Sequence, residues 1–320
     1  MDSAVQQLLI SIGDQLDRDI YPHVFNGGVV APAGSVIDCQ TAGVENDHES
    51  RPACRSSAGS WQRTAGWQGQ TGKSGPSCPT ASPGCGRLQT HYLEQLDAAF
   101  AAYPQTSYLL QNSGLWLCVE SAVLPGLKRR ATFLMAIPFS RGSKVQSWAF
   151  WTNAIGYQWI GPRHTNAVDG SICAFNPSDG SWKEGGKLTD LIDLYSLWAL
   201  RQLHVEVLGW WPGRQTAQFA YERLTECNDN EWCGCRTDAP RYIDCCKATD
   251  IIADRSEIAM EFIGGFLKFK PRRPPDNILV VLASNAPPPQ IRSNIFSTLL
   301  ATNSNLFSAR LFESLSRNRP

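Results

Sequence analysis

An α+β fold followed by a small cysteine knuckle is predicted by three features of this 320-residue sequence. Two segments with apolar residues at helical spacing flank a series of short apolar runs. Gly, Pro and basic residues separate those runs too closely for crossover helices, so the runs are read as an antiparallel meander. Beyond the second helix, four cysteines fall within residues 233–246. Helix, meander, loop, helix and then a metal-type cluster is the expected order.

Taken along the chain, residues 1–25 open with an amphipathic helix marked by Val5, Leu8, Leu9, Ile12 and Leu16. Residues 26–87 lose all periodicity, are rich in Gly, Ser, Pro and Arg, and are expected to be loop or disorder. Residues 88–226 are expected to form the main domain. Leu88, Tyr92, Leu96, Ala99 and Phe100 mark a helix that ends at Pro104. The runs "LWLCVESAV" (115–123), "ATFLMAIPF" (131–139) and "VQSWAFW" (145–151) read as strands. Leu188, Leu191, Ile192, Tyr195, Trp198 and Leu203 then mark a strong helix over 187–208, with Thr189 or Ser181 as candidate caps. Residues 227–250 hold the knuckle. For 251–320 the sequence suggests one helical stretch, a basic-proline patch "KFKPRRPPD" read as a solvated linker, and a strand-like "ILVVLA".

Lys plus Arg and Asp plus Glu number 29 each, so net charge gives no general pull toward nucleic acid or an anionic membrane. The first residues carry no basic stretch of a secretion signal, and no apolar run reaches the roughly 18 residues that span a bilayer. The expected setting is the cytoplasm, where eleven cysteines are better read as thiols or metal ligands than as disulfides. "GQTGKSG" at 69–75 superficially suggests a phosphate loop, but that motif needs glycine where Trp67 stands. No nucleotide or other organic cofactor is implied.

The stretch "RHTNAVDGSIC" (163–173) sets His164 and Asn166 upstream of an Asp169-Gly170 bend and a single thiol, Cys173. A thiol attacks carbonyls as the thiolate, and the attack builds charge on oxygen that a fixed amide donor stabilises. Cys173 is thus a candidate nucleophile, Asn166 a candidate donor, and His164 an orienting group or base. No cation stands near the thiol in sequence.

At these residues the chain resembles the ubiquitin-conjugating (E2-like) enzymes, whose active-site loop reads His-Pro-Asn, a turn with Asp-Gly, then Ser/Lys-Ile-Cys, with a Trp downstream. Here the matching residues are His164-Thr165-Asn166, Asp169-Gly170, Ser171-Ile172-Cys173 and Trp182. Thr165 replaces the proline, and the Asn-to-Cys distance is one residue shorter than in eukaryotic members. The likeness is closer to bacterial E2-like proteins of anti-phage operons beside cyclic-oligonucleotide synthases (type II CBASS), which carry further tryptophans and a Trp-Pro-Gly turn. Trp198 and "LGWWPGRQ" (208–215) match those features, and the resemblance covers about residues 88–215. It implies an E2-like core in which Cys173 carries a protein C-terminus as a thioester, Asn166 stabilises the oxyanion and His164 holds the loop. It further implies a nucleotidyltransferase-type synthase as partner and an activating (E1-like) protein as possible donor. A catalytically inactive E2-fold scaffold, or a zinc-dependent adaptor, is the alternative.

Cys233-Gly234-Cys235 and Cys245-Cys246 form two close pairs on separate turns, the way four thiolates are delivered to one tetrahedral zinc ion. This resembles the SEC-C motif, with Tyr242 inside a spacer of nine residues instead of about eight. The resemblance implies one structural Zn²⁺ bound by Cys233, Cys235, Cys245 and Cys246 and a docking role. Cys227 is read as a bystander.

Overall fold

The computed structural model describes residues 3–18, 23–25, 28–30, 85–121, 124, 130–153, 156–166, 169–175, 181–236, 238–267, 272–284 and 288–291. Most of the segment expected to be loop, including "GQTGKSG", lies outside these residues, as does the Ser/Asn-rich end of the chain.

Helix α1 (Ser3–Asp17) follows its apolar stripe, burying Val5, Leu9, Ile12 and Leu16. A small antiparallel hairpin, β1 (His23–Phe25) with β2 (Gly28–Val30), pairs His23 with Val30 and Phe25 with Gly28. β2 therefore places strand inside the stretch expected to lack structure; its Gly-Val-Val is too short to register as a period. The second predicted helix is two, α2 (Cys85–Glu94) and α3 (Leu96–Ala102), broken at Gln95.

The meander forms as predicted in kind but has five strands instead of three, in the order β3-β4-β5-β6-β7, all antiparallel: Thr106–Gln111, Gly114–Glu120, Ala131–Pro138, Gln146–Asn153 and Gly156–Trp159. The two missed strands are the edges, half exposed, and one is only four residues long. All eight residues of β5 are buried, because both faces of the sheet are covered. On one face Phe133, Met135 and Ile137 join Leu115, Leu117 and Trp151 against α2, α3 and the long helix α4 (Leu188–Leu208). On the other, Leu134 and Ala136 join Trp116, Trp148 and Phe150 under a C-terminal helix.

That helix, α8 (Asp276–Ser284), overturns the strand expectation for "ILVVLA". Pro274 and Pro275 set its start, and Ile278, Val281 and Leu282 bury one helical stripe on the sheet. Val280 is exposed, and this apolar residue on the solvent side made the run look continuous. The chain then stitches down residues 288–291: Trp116 Nε1 donates to the Pro289 carbonyl at 3.0 Å, and Ile291 N to Gln111 Oε1 at 2.8 Å.

Helix α4 lacks both expected caps. Its N-cap Lys187 makes no side-chain cap, and Leu188 N donates instead to Gln95 Oε1 at 2.7 Å, from the α2–α3 break. Gly209 ends α4 in the left-handed conformation (φ 81) with its N–H on the Val205 carbonyl. After α4 come α5 (Ala220–Glu226), the cysteine segment, α6 (Lys247–Ile252) and α7 (Arg255–Phe262). Among the described residues no helix is long and apolar enough to cross a membrane.

Candidate functional site

The thiol loop leaves β7 and folds back on itself before reaching α4. Asn166 N donates to the Ser171 carbonyl at 2.7 Å, Gly170 N to the Asn166 carbonyl at 3.0 Å, and Cys173 N to the His164 carbonyl at 3.1 Å. Thr165 and Ile172 form an antiparallel bridge between these bonds. His164, Asn166 and Cys173 thus share one tight ladder, and the expected bend at Asp169-Gly170 closes it.

The tip is held by side chains. Buried Asp169 accepts from Ser171 N at 3.0 Å and Ser171 Oγ at 2.7 Å, and from Gln146 Nε2 at 2.6 Å. These donors offset the cost of burying a carboxylate. Three indoles pin the backbone: Trp148 Nε1 to the Asp169 carbonyl (2.9 Å), Trp159 Nε1 to the Gly170 carbonyl (3.3 Å) and Trp198 Nε1 to the His164 carbonyl (2.9 Å). Ile172 N donates to the Ser147 carbonyl at 2.7 Å, sewing the loop to β6. Gly170 has φ +64, and a Cβ there would lie 2.7 Å from the Arg273 carbonyl carbon, so backbone conformation and space both require glycine.

Cys173 is exposed. Its surface reaches solvent, yet the protein around it is dense, and desolvation pushes the thiol above its ordinary range; the Arg272 charge opposes this, Glu222 reinforces it, and Lys144 opposes it. Asn166 is also exposed, and its Nδ2 donates to Ser171 Oγ at 2.9 Å and to the Ile172 carbonyl at 3.2 Å. Both amide hydrogens are therefore engaged with the loop in this state.

His164 has φ 49, and its ring centroid lies 3.9 Å from that of Trp211. Burial, reinforced by the Arg163 charge, holds the imidazole well below its ordinary pKa, so it is neutral. Its Nε2 meets Gln215 Oε1 at 2.9 Å while Gln215 Nε2 donates to the Trp232 carbonyl at 2.6 Å, which makes the histidine nitrogen the donor. A neutral ring with that proton committed orients the loop.

Four further residues complete the site and were not singled out from sequence. Arg163 and Glu231 form a buried pair, Nη1 to Oε1 at 3.1 Å and Nη2 to Oε2, and Arg163 Nη2 also donates to Gln215 Oε1 at 2.9 Å. Glu231 is 0% exposed and takes Trp211 N at 2.8 Å as well. Arg163 adjoins His164, and Glu231 lies just before Cys233, so this hub joins the thiol loop to the cysteine segment. The fourth residue, Arg272, comes from the basic patch. Its side chain is only 11% exposed and pairs with Glu222 (3.2 Å) and Glu226 (2.9 Å), so at Arg272 the patch is packed against the thiol loop and is no solvated linker.

In the cysteine segment, Cys233, Cys235, Cys245 and Cys246 bring their sulfurs within 4.8 Å of one another. Cys235–Cys245 and Cys245–Cys246 are 3.6 and 3.7 Å apart. A tetrahedron of thiolates about 2.3 Å from a metal has edges near ~3.8 Å, so the group fits a structural metal ion. The supporting turn is specific: Gly234 has φ +73, and a Cβ there would lie 2.6 Å from Ala217 N. Cys233 N donates to the Pro240 carbonyl (2.9 Å), and buried Tyr242 packs beside the sulfurs. Cys227 is outside the four, as expected.

No protein-family model, curated protein or solved structure matches this chain.

Proposed function

We propose that the chain is an E2-like thioester carrier of the type II CBASS kind, and that its four-cysteine knuckle holds structural zinc. The observation that carries this reading is an exposed thiol, Cys173, on a hydrogen-bonded loop between an antiparallel meander and a long helix, with His164 and Asn166 on the opposing limb. In the proposed first step Cys173 Sγ attacks the carbonyl carbon of a protein C-terminus held as a thioester on an activating (E1-like) partner. A new C–S bond forms, and the partner's thiol leaves with the proton. An acceptor amine then attacks that carbon, an amide forms, and the Cys173 thiol is released. The fitting acceptor is a cyclic-oligonucleotide synthase of the nucleotidyltransferase type. For Asn166 to steady the oxyanion, its amide must turn one N–H away from Ser171 or Ile172.

That requirement supports a second reading, an E2-fold scaffold without catalysis, because Asn166 has both donors engaged and desolvation disfavours the thiolate. One experiment separates the two. The protein is mixed with the synthase, whose own C-terminus serves as the carried group in this assay, together with activating protein and ATP, and run on non-reducing gels. A thiol-sensitive adduct that disappears in Cys173→Ala is the expected result. Stable binding with no adduct in the parent protein would sink the carrier and leave the scaffold.

A further inference from the structure

Arg272 lies outside the stretch that resembles the E2-like enzymes, yet it reaches the thiol loop directly. Its Nε donates to the Thr165 carbonyl at 3.0 Å, and Nη2 donates to the same oxygen. Thr165 faces Ile172 across the ladder, one residue before Cys173. The next residues pass over the loop's tip, with the Arg273 carbonyl carbon 2.7 Å from where a Gly170 Cβ would be. Downstream, α8 fixes this crossing to the sheet.

We propose that Arg272 is a positioning residue for the thiol site: it clamps the Cys173 loop through Thr165 and supplies the cation beside which a thiolate forms. This rests on reading Cys173 as the reacting thiol. The charged and titratable groups facing Cys173 are Arg272, Glu222 on α5, Lys144 between β5 and β6, and Tyr195 on α4. Lys144 is exposed, so water screens its charge, whereas the Arg272 side chain is largely buried and acts through protein. Glu222 and Glu226 fix the guanidinium by ion pairs at 3.2 and 2.9 Å. Removing the arginine thus takes away the cation and leaves the Glu222 carboxylate acting on the sulfur unopposed by its ion-pair partner.

The test is the pH profile of iodoacetamide alkylation, read on the Cys173 peptide by mass spectrometry in the full-length protein. Arg272→Gln is expected to move the midpoint up by about one pH unit, so that alkylation at neutral pH slows roughly tenfold. Arg272→Lys keeps the charge and is expected to hold the midpoint near that of the parent. Adding Glu222→Gln to Arg272→Gln is expected to bring it part of the way back. A purely structural role would alter thermal unfolding and leave the midpoint in place. An unchanged midpoint in folded Arg272→Gln, or equal shifts in the Gln and Lys variants, overturns the proposal. The alkylation profile does not require an acyl donor, so failure of adduct formation would remove the carrier reading alone.

Discussion

Arg163→Met is expected to lower the unfolding free energy by about 3–5 kcal/mol, the typical penalty for stranding one member of a buried ion pair. Glu231 has no exposed surface and would be left without its cation, with only neutral donors such as Trp211 N and Gln215 Nε2 to offset its burial. The arginine also stacks on Trp211, 5.5 Å from the ring centroid, and methionine restores only part of that contact. Urea titration followed by tryptophan fluorescence measures the loss. Arg163→Met combined with Glu231→Leu should be more stable than Arg163→Met alone, because the stranded charge has gone. A loss of under about 1 kcal/mol in the single variant would mean that water reaches the pair.

Removal of the metal should have the second large effect. Small thiolate sites bind zinc with apparent free energies of about 10–16 kcal/mol, most of it expressed as folding, which exceeds the typical total stability of about 5–15 kcal/mol. The purified protein is expected to contain one zinc per chain by elemental analysis. Cys233→Ser should lose the metal and unfold at distinctly lower urea, as should chelated parent protein. Cys233 is the most buried of the four, and its amide holds the turn to Pro240. Equal stability of parent and chelated protein would reduce the cluster to four neighbouring thiols.

How much of this was legible in advance follows the range of each interaction. Helix α4 was readable because Leu188, Leu191, Ile192, Tyr195 and Trp198 repeat at helical spacing, and its partner is one broad sheet face. The three thiol-loop residues and the four cysteines were readable because each group is local, joined across a turn. Arg163 finds Glu231 68 residues away and Gln215 52 residues away, and Arg272 finds Thr165 across 107. No periodicity encodes such pairs, so Arg163 and Glu231 carry no signal of their own in the sequence, and Arg272 reads as part of a solvated linker. α8 differs for another reason: six apolar residues (278–283) fit strand and helix equally, and only the sheet beneath Ile278, Val281 and Leu282 decides.

The crossing of residues 272–274 over Gly170 also sets an order of maturation. A chain emerging from the ribosome releases the meander, the loop and α4 well before this crossing, at about 5–20 residues per second. During that interval the nascent chain presents its sulfur on an unclamped hairpin and the outer sheet bare. The loop that carries Cys173 is therefore clamped late, by residues made long after it, and it stays open to other contacts until they arrive.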